Sequence, residues 1–97
     1  MTTIRYDPTA PEMRFEGHAM SGEWGRDLVC AAVSILLHTL AATPGAASEI
    51  APGRARVRGG ERAAYETVAR GLGLLARSWP QHVKLEETPC STMYSAP

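Results

Sequence analysis

The chain has 97 residues, 44% of them apolar and 21% charged, and its ten basic and ten acidic side chains cancel. That composition describes one soluble globular domain with no room for a second core, and a chain this short gains stability from a partner subunit. A neutral chain lacks the general positive field that drives nucleic-acid binding, and its longest apolar stretch, Leu28 to Ala42, is interrupted by Ser34, His38 and Thr39 and is too short to span a bilayer.

Met1 to Tyr6 lacks the basic start and long apolar run of a signal peptide, so the expected location is the cytoplasm. There the two cysteines, Cys30 and Cys90, are expected as free thiols. One local basic cluster, Arg54, Arg56, Arg58 and Arg62, departs from the neutral balance. It reads as a solvated strand-and-loop face; the sharper alternative is a dock for an RNA-bound or acidic substrate.

Ile4 to Tyr6 reads as a first short strand, and Asp7 to Pro11, with two prolines, as a turn. Met13-Arg14-Phe15-Glu16 alternates apolar and polar residues, the mark of a half-buried strand that pairs with the first as a hairpin. Gly17 ends that strand and permits a bend. A first helix is expected to start near Asp27, a good N-cap residue, and to run to about Ala42 with Leu28, Val29, Ala32, Val33, Leu36, Leu37 and Leu40 as its apolar stripe. Thr43-Pro44-Gly45 stops it.

Ala46 to Pro52 reads as a loop or weak strand, and Arg54 to Arg58 as a strand with Ala55 and Val57 on one face. After Gly59-Gly60 a second helix is expected from about Glu61 to Ser78, ended by Pro80. Gly71 and Gly73 within it cost about 1 kcal/mol each against alanine, which points either to close packing against another backbone or to neutral drift. Val83 to Glu86 alternates as a last strand. Residues 1–87 thus form the single domain, and 88–97 a polar tail that carries Cys90. The expected fold is α+β: a two-layer sandwich in which two helices cover one face of a small mixed β-sheet. The other face would then need cover as well, a second argument for a dimer.

The chemistry centres on His18 and Cys30, separated by a loop that holds Gly22 and Gly25. With Asp27 as N-cap, Cys30 is the third helical residue, where free N–H groups and the helix dipole stabilise a thiolate and an oxyanion. Two readings stand for Asp27, a helix cap or a group that orients His18. Ser34, one turn beyond Cys30, either bonds back to a helix carbonyl or lines the site. Strict alternation would place His18 with Arg14 and Glu16, away from Met13 and Phe15, so the imidazole reaches the sulfur only if Gly17 turns the chain or the site lies at the sheet's edge. On helix position alone Cys30 reads as a buried core thiol. A metal site built from His18, Cys30, His38 and Cys90 is disfavoured, since no CxxC or HxxH pair is present, and no cofactor is expected.

The local words are more specific. Phe15-Glu16-Gly17-His18-Ala19, followed across the glycine-containing loop by Asp27-Leu28-Val29-Cys30-Ala31-Ala32-Val33-Ser34, resembles the ribosomal-processing cysteine protease family Prp. Leu72-Gly73-Leu74-Leu75 and Trp79-Pro80-Gln81-His82-Val83-Lys84-Leu85 extend the resemblance to roughly positions 13–87. It implies a cysteine endopeptidase with His18 and Cys30 as the dyad, in a small homodimer. The implied substrate is the N-terminal extension of ribosomal protein L-twenty-seven, cut after an aromatic pair and before alanine, with no direct nucleic-acid or membrane partner. It further implies a mobile loop, here Met20 to Arg26, in which Gly22 and Gly25 would hinge. Trp24 or Met20 would cover an aromatic side chain of the peptide, or simply pack the loop. Three features depart from the family pattern: a proline-rich first hairpin, a segment from Ala46 to Gly60 that looks shortened, with a strand either missing or weak, and the tail. The alternative function is a non-catalytic, ribosome-associated assembly module that keeps the fold.

Overall fold

The computed structural model describes residues 1–17 and 24–87. Its elements are β1 (Thr2–Asp7), β2 (Glu12–Glu16), α1 (Trp24–Ala41), β3 (Ala47–Ala51), β4 (Arg54–Arg58), α2 (Arg62–Ser78) and β5 (Val83–Glu87). The strands form one mixed sheet in the order β3-β4-β2-β1-β5, with β1 antiparallel to β2 and parallel to β5. Residues 8–11, rich in proline, make the turn of the first hairpin, where the Oδ1 of Asp7 accepts the N–H of Thr9 at 2.9 Å.

Alternation gives the sheet two unlike faces. Ile4, Tyr6, Met13, Phe15, Ala55, Val57 and Val83 point to one side and are buried. Val29, Val33, Leu37 and Leu40 of α1, with Tyr65, Val68 and Leu72 of α2, complete the same core cluster, so both helices lie on that side. Tyr65 is fully buried, stacks on Tyr6 at 6.3 Å between ring centroids, and donates its hydroxyl to the carbonyl oxygen of Gly59 at 2.8 Å. This is the expected two-layer α+β arrangement.

Three expectations are corrected. First, the uncovered face does not ask for an apolar partner. One rung across it reads Glu49, Arg56, Arg14, Arg5, Glu86, strand by strand. Glu12 binds Arg14 at 2.6 Å and Arg56 at 3.3 Å, while Arg5 reaches Glu16 at 3.2 Å and Glu86 at 3.3 Å. Arginine stems cover the strands and their charged ends stay in water, so this face is stable uncovered. The strand part of the basic cluster, Arg54, Arg56 and Arg58, lies on this ion-paired face, as the solvated reading requires; Arg62, at the start of α2, caps the carbonyl of Pro8 instead.

Second, the segment from Ala46 to Gly60 lacks no strand: β3 and β4 both form there and pair antiparallel. Every residue of β3 is exposed, so its sequence shows no apolar alternation to read.

Third, α1 starts at Trp24, not at Asp27. Asp27 is therefore inside the helix and cannot be its N-cap, and Trp24 and Gly25 belong to the first turn rather than to a hinged loop. The apolar stripe begins only at Leu28, so periodicity marks the second turn and misses the first. Cys30 becomes the seventh helical residue, and its N–H is committed to the i−4 carbonyl instead of being free for an oxyanion.

Candidate active site

The end of β2 sets the position of the site. Gly17 follows the strand with φ of 80°, and its N–H donates to the carbonyl oxygen of Gly53 at 2.8 Å. A Cβ at Gly17 would collide with the carbonyl oxygen of Met1. Positive φ and this close backbone approach both require glycine here. The strand's alternation therefore stops at Glu16.

Cys30 sits in the second turn of α1, partly exposed, as a free thiol. Cys30, Ser34 and His38 recur every fourth residue on one helix face, and all three line an open cleft of about 250 Å³. Gly17 lines the same cleft. Val33, Leu37, Phe15 and Ala55 supply apolar walls, and the end of β3 with its turn into β4, Ile50 to Gly53, lines the cleft as well. No carboxylate lines the cleft among the described residues.

The Nδ1 of His38 lies 2.8 Å from the carbonyl oxygen of Ser34. A carbonyl only accepts, so Nδ1 carries the hydrogen and Nε2 is left as the ring's other nitrogen toward solvent. His38 is eight residues from Cys30, about 12 Å along the helix axis. It is too far to take a proton from the sulfur directly. Ser34 is thereby placed on the cleft wall, and its main chain, not its hydroxyl, makes the bond to His38.

A larger concavity, about 580 Å³, is lined by the charged residues Arg14, Glu16, Glu49, Arg54 and Arg56 together with Phe15, Ile50, Ala51 and Ala55. It holds no nucleophile. Among the described residues no group of three or more His, Cys, Asp or Glu side chains is placed to hold a metal ion. No helix among them is long and apolar enough to cross a membrane.

The structure thus brings Cys30, Ser34 and Gly17 to one cleft. His18, Met20, Gly22 and Cys90 lie outside the described residues. The wall from Ile50 to Gly53 and the cleft position of His38 carry no motif in the sequence. Only the pairing of β3 with β4 brings that wall to the cleft.

A family model described as cysteine protease Prp matches residues 1–84. The chain belongs to the Prp cysteine protease family. No curated protein sequence matches it significantly. Among solved structures, the Streptococcus mutans protein SMU.848 superposes with a TM-score of 0.69 at 22% identity, covering 91% of this chain and 92% of that one. The ribosomal processing protease Prp of S. aureus, with a covalently linked product peptide, gives 0.69 at 20% identity over 91% and 100% of the two chains. The same S. aureus protease with a substrate peptide gives 0.70 at 16% identity over 90% and 97%. At these identities the likeness establishes the shared Prp fold.

Proposed function

We propose that this Prp family member is a cysteine endopeptidase in which Cys30 is the nucleophile and His18 its base. One observation carries the reading: Cys30 and Gly17 line one apolar cleft, and His18 is covalently the next residue after Gly17, one Cα–Cα step of about 3.8 Å away. His38 shares the cleft but lies too far along α1 to serve.

In the proposed reaction the imidazole of His18 takes the thiol proton, and the Cys30 sulfur attacks the carbonyl carbon of the scissile peptide. The tetrahedral intermediate collapses as the C–N bond breaks, and His18 returns the proton to the leaving amine. Water, activated by the same imidazole, then releases the acyl group and restores the thiol. Val33, Leu37, Phe15 and Ile50 make the cleft suited to a large apolar side chain of the peptide.

The S. aureus structures are of a ribosomal processing protease bound to substrate and product peptides, and the motif around Cys30 resembles that family. On that basis the substrate is the N-terminal extension of a ribosomal protein, L-twenty-seven first among candidates, processed in the cytoplasm. The proposed assembly is a homodimer, supported by Leu28 and Ile35, seven residues apart on α1 and each more than 60% exposed. Asp27 and Ser34 are assigned supporting roles around the dyad, and Met20 and Gly22 a role in covering the peptide.

The test is incubation with the extended ribosomal protein followed by mass spectrometry of the fragments. Cys30→Ala and Cys30→Ser are expected to abolish cleavage with an unchanged melting temperature, and His18→Ala to remove most of the rate. Full activity in either cysteine variant refutes the nucleophile, and full activity in His18→Ala refutes the base. An uncut substrate with an iodoacetamide-inert Cys30 would favour the non-catalytic assembly module.

A further inference from the structure

Among the described residues β3 is an edge strand whose only partner in the sheet is β4. All five of its residues, Ala47 to Ala51, are exposed. Natural edges are usually blunted by lysine, proline, inward charge or an overlying element, because a bare edge templates the addition of another strand. Among the described residues β3 has none of these; its one charge is Glu49. The opposite edge, β5, is managed differently. Lys84, Glu86 and Glu87 line it, and α2 packs against it.

The bare edge also adjoins the chemistry. Ile50 and Ala51 of β3 line the cleft that holds Cys30. Ile50 shares a face with buried Ala55 by register, yet it is 48% exposed, so α1 does not roof β3. A chain laid along the free edge of β3 would run directly beside the Cys30 cleft.

We propose that the peptide substrate binds as a sixth strand added to the free edge of β3. Main-chain hydrogen bonds supply the affinity, and alternate side chains turn into the Cys30 cleft. The inference rests on the protease reading above. It names the substrate class more narrowly: an extended, unstructured tail able to lie flat for about five residues, roughly 17 Å, on one side of the cut. A folded loop of a native protein cannot add in this way.

Backbone geometry supplies the test. In an antiparallel pair each residue directs both its N–H and its C=O to the same side, and successive residues alternate. One of Ser48 and Glu49 therefore serves β4, and the other faces the free edge. Proline at the first removes a ladder bond and lowers the melting temperature; proline at the second is tolerated. Ser48→Pro and Glu49→Pro are made in the full chain. Of these, the variant that melts with the parent is expected to lose at least tenfold in kcat/KM on the ribosomal-protein extension peptide. Single N-methylation along that peptide is expected to reduce kcat/KM at every second position. Parent-like kcat/KM in the well-folded proline variant, or an N-methyl scan without period two, overturns the proposal.

The same peptides are titrated against Cys30→Ala by fluorescence anisotropy. Period-two weakening of binding with no cleavage by the parent would keep strand addition and remove the protease reading, so the two fail separately. If sedimentation shows the well-folded proline variant splitting a dimer into monomers, the edge belongs to a second copy of this chain, and the proposal is overturned.

Discussion

Gly17→Ala is expected to be among the most damaging single-methyl changes in the protein. At φ of 80° an alanine pays about 1–2 kcal/mol for left-handed backbone. Its Cβ would also run into the Met1 carbonyl oxygen, and that atom is backbone rather than a yielding side-chain end. The N-terminus cannot simply swing away, because the N–H of Thr2 donates to the His82 carbonyl at 2.8 Å and holds the start of β1 against β5. Either that bond or the 2.8 Å bond from Gly17 to Gly53 must give, at about 1 kcal/mol. The sum is about 2–3 kcal/mol, or roughly 8–24 °C in melting temperature for a domain of this size.

Gly73→Ala provides the internal control. A Cβ there meets nothing nearer than the Leu85 Cδ2 at 3.9 Å, an ordinary contact, and alanine gains up to about 1 kcal/mol of helix propensity. At Gly71 the new methyl would sit 3.1 and 3.2 Å from the two δ-carbons of Leu36, so part of that gain is lost in moving the leucine. Thermal and urea unfolding of the three variants should rank them Gly73→Ala, Gly71→Ala, Gly17→Ala from most to least stable. A Gly17→Ala protein within 1 kcal/mol of the parent would refute the close approach of β2's end to Met1, and with it the cleft geometry.

Tyr65→Phe should cost about 1 kcal/mol, read by urea denaturation, since it leaves the Gly59 carbonyl without its 2.8 Å donor while keeping the stack on Tyr6; no loss would mean that water replaces the hydroxyl. Glu12 carries a pH signature. Burial pushes its carboxyl up, but hydrogen bonds from Arg14 and Arg56 outweigh this and hold it below the usual glutamate range. A carboxyl lowered on folding contributes stability above its unfolded value and loses it as pH falls through the folded one. Glu12→Gln should therefore cost about 1 kcal/mol at pH 7 and become indistinguishable from the parent in acid; a gap that is constant with pH would refute the ion-pair account. Leu72→Ala, at a position with no exposed surface, should cost about 2–5 kcal/mol, measured in the same assay, and a smaller loss would mean that the core closes around the gap.

Most of the fold is legible in the chain because most elements are amphipathic. β1, β2 and β4 alternate against one core, and α2 repeats Tyr65, Val68 and Leu72 at helical spacing. The two misreadings share a cause. β3 is exposed throughout and so has no buried face for periodicity to mark, and the first turn of α1 precedes the apolar stripe from which the helix is read in the sequence. Within the site, Cys30 and Ser34 are legible as one helix face. The wall from Ile50 to Gly53 is not, because it reaches the Cys30 cleft only through the pairing of β3 on β4. Sheet order is a tertiary fact, and nothing local in Ala47 to Ala51 encodes it.

The earlier start of α1 changes which force would activate the sulfur. A thiolate in the first turn would draw about 0.3–1 kcal/mol from the helix dipole, and that effect fades beyond the turn. Cys30 as the seventh residue is outside it. An imidazolium about 4 Å away is worth up to about 4 kcal/mol at an effective dielectric of 20. In the proposed dyad the histidine must then supply nearly all of the thiolate's stabilisation, with the helix serving only as the rigid mount that aims the sulfur into the cleft. Removing the imidazole should for that reason reduce Cys30 to an ordinary thiol toward iodoacetamide at neutral pH, a fall of an order of magnitude or more in alkylation rate. If His18→Ala alkylates as fast as the parent, the sulfur draws its reactivity from some other cation and the dyad is wrong.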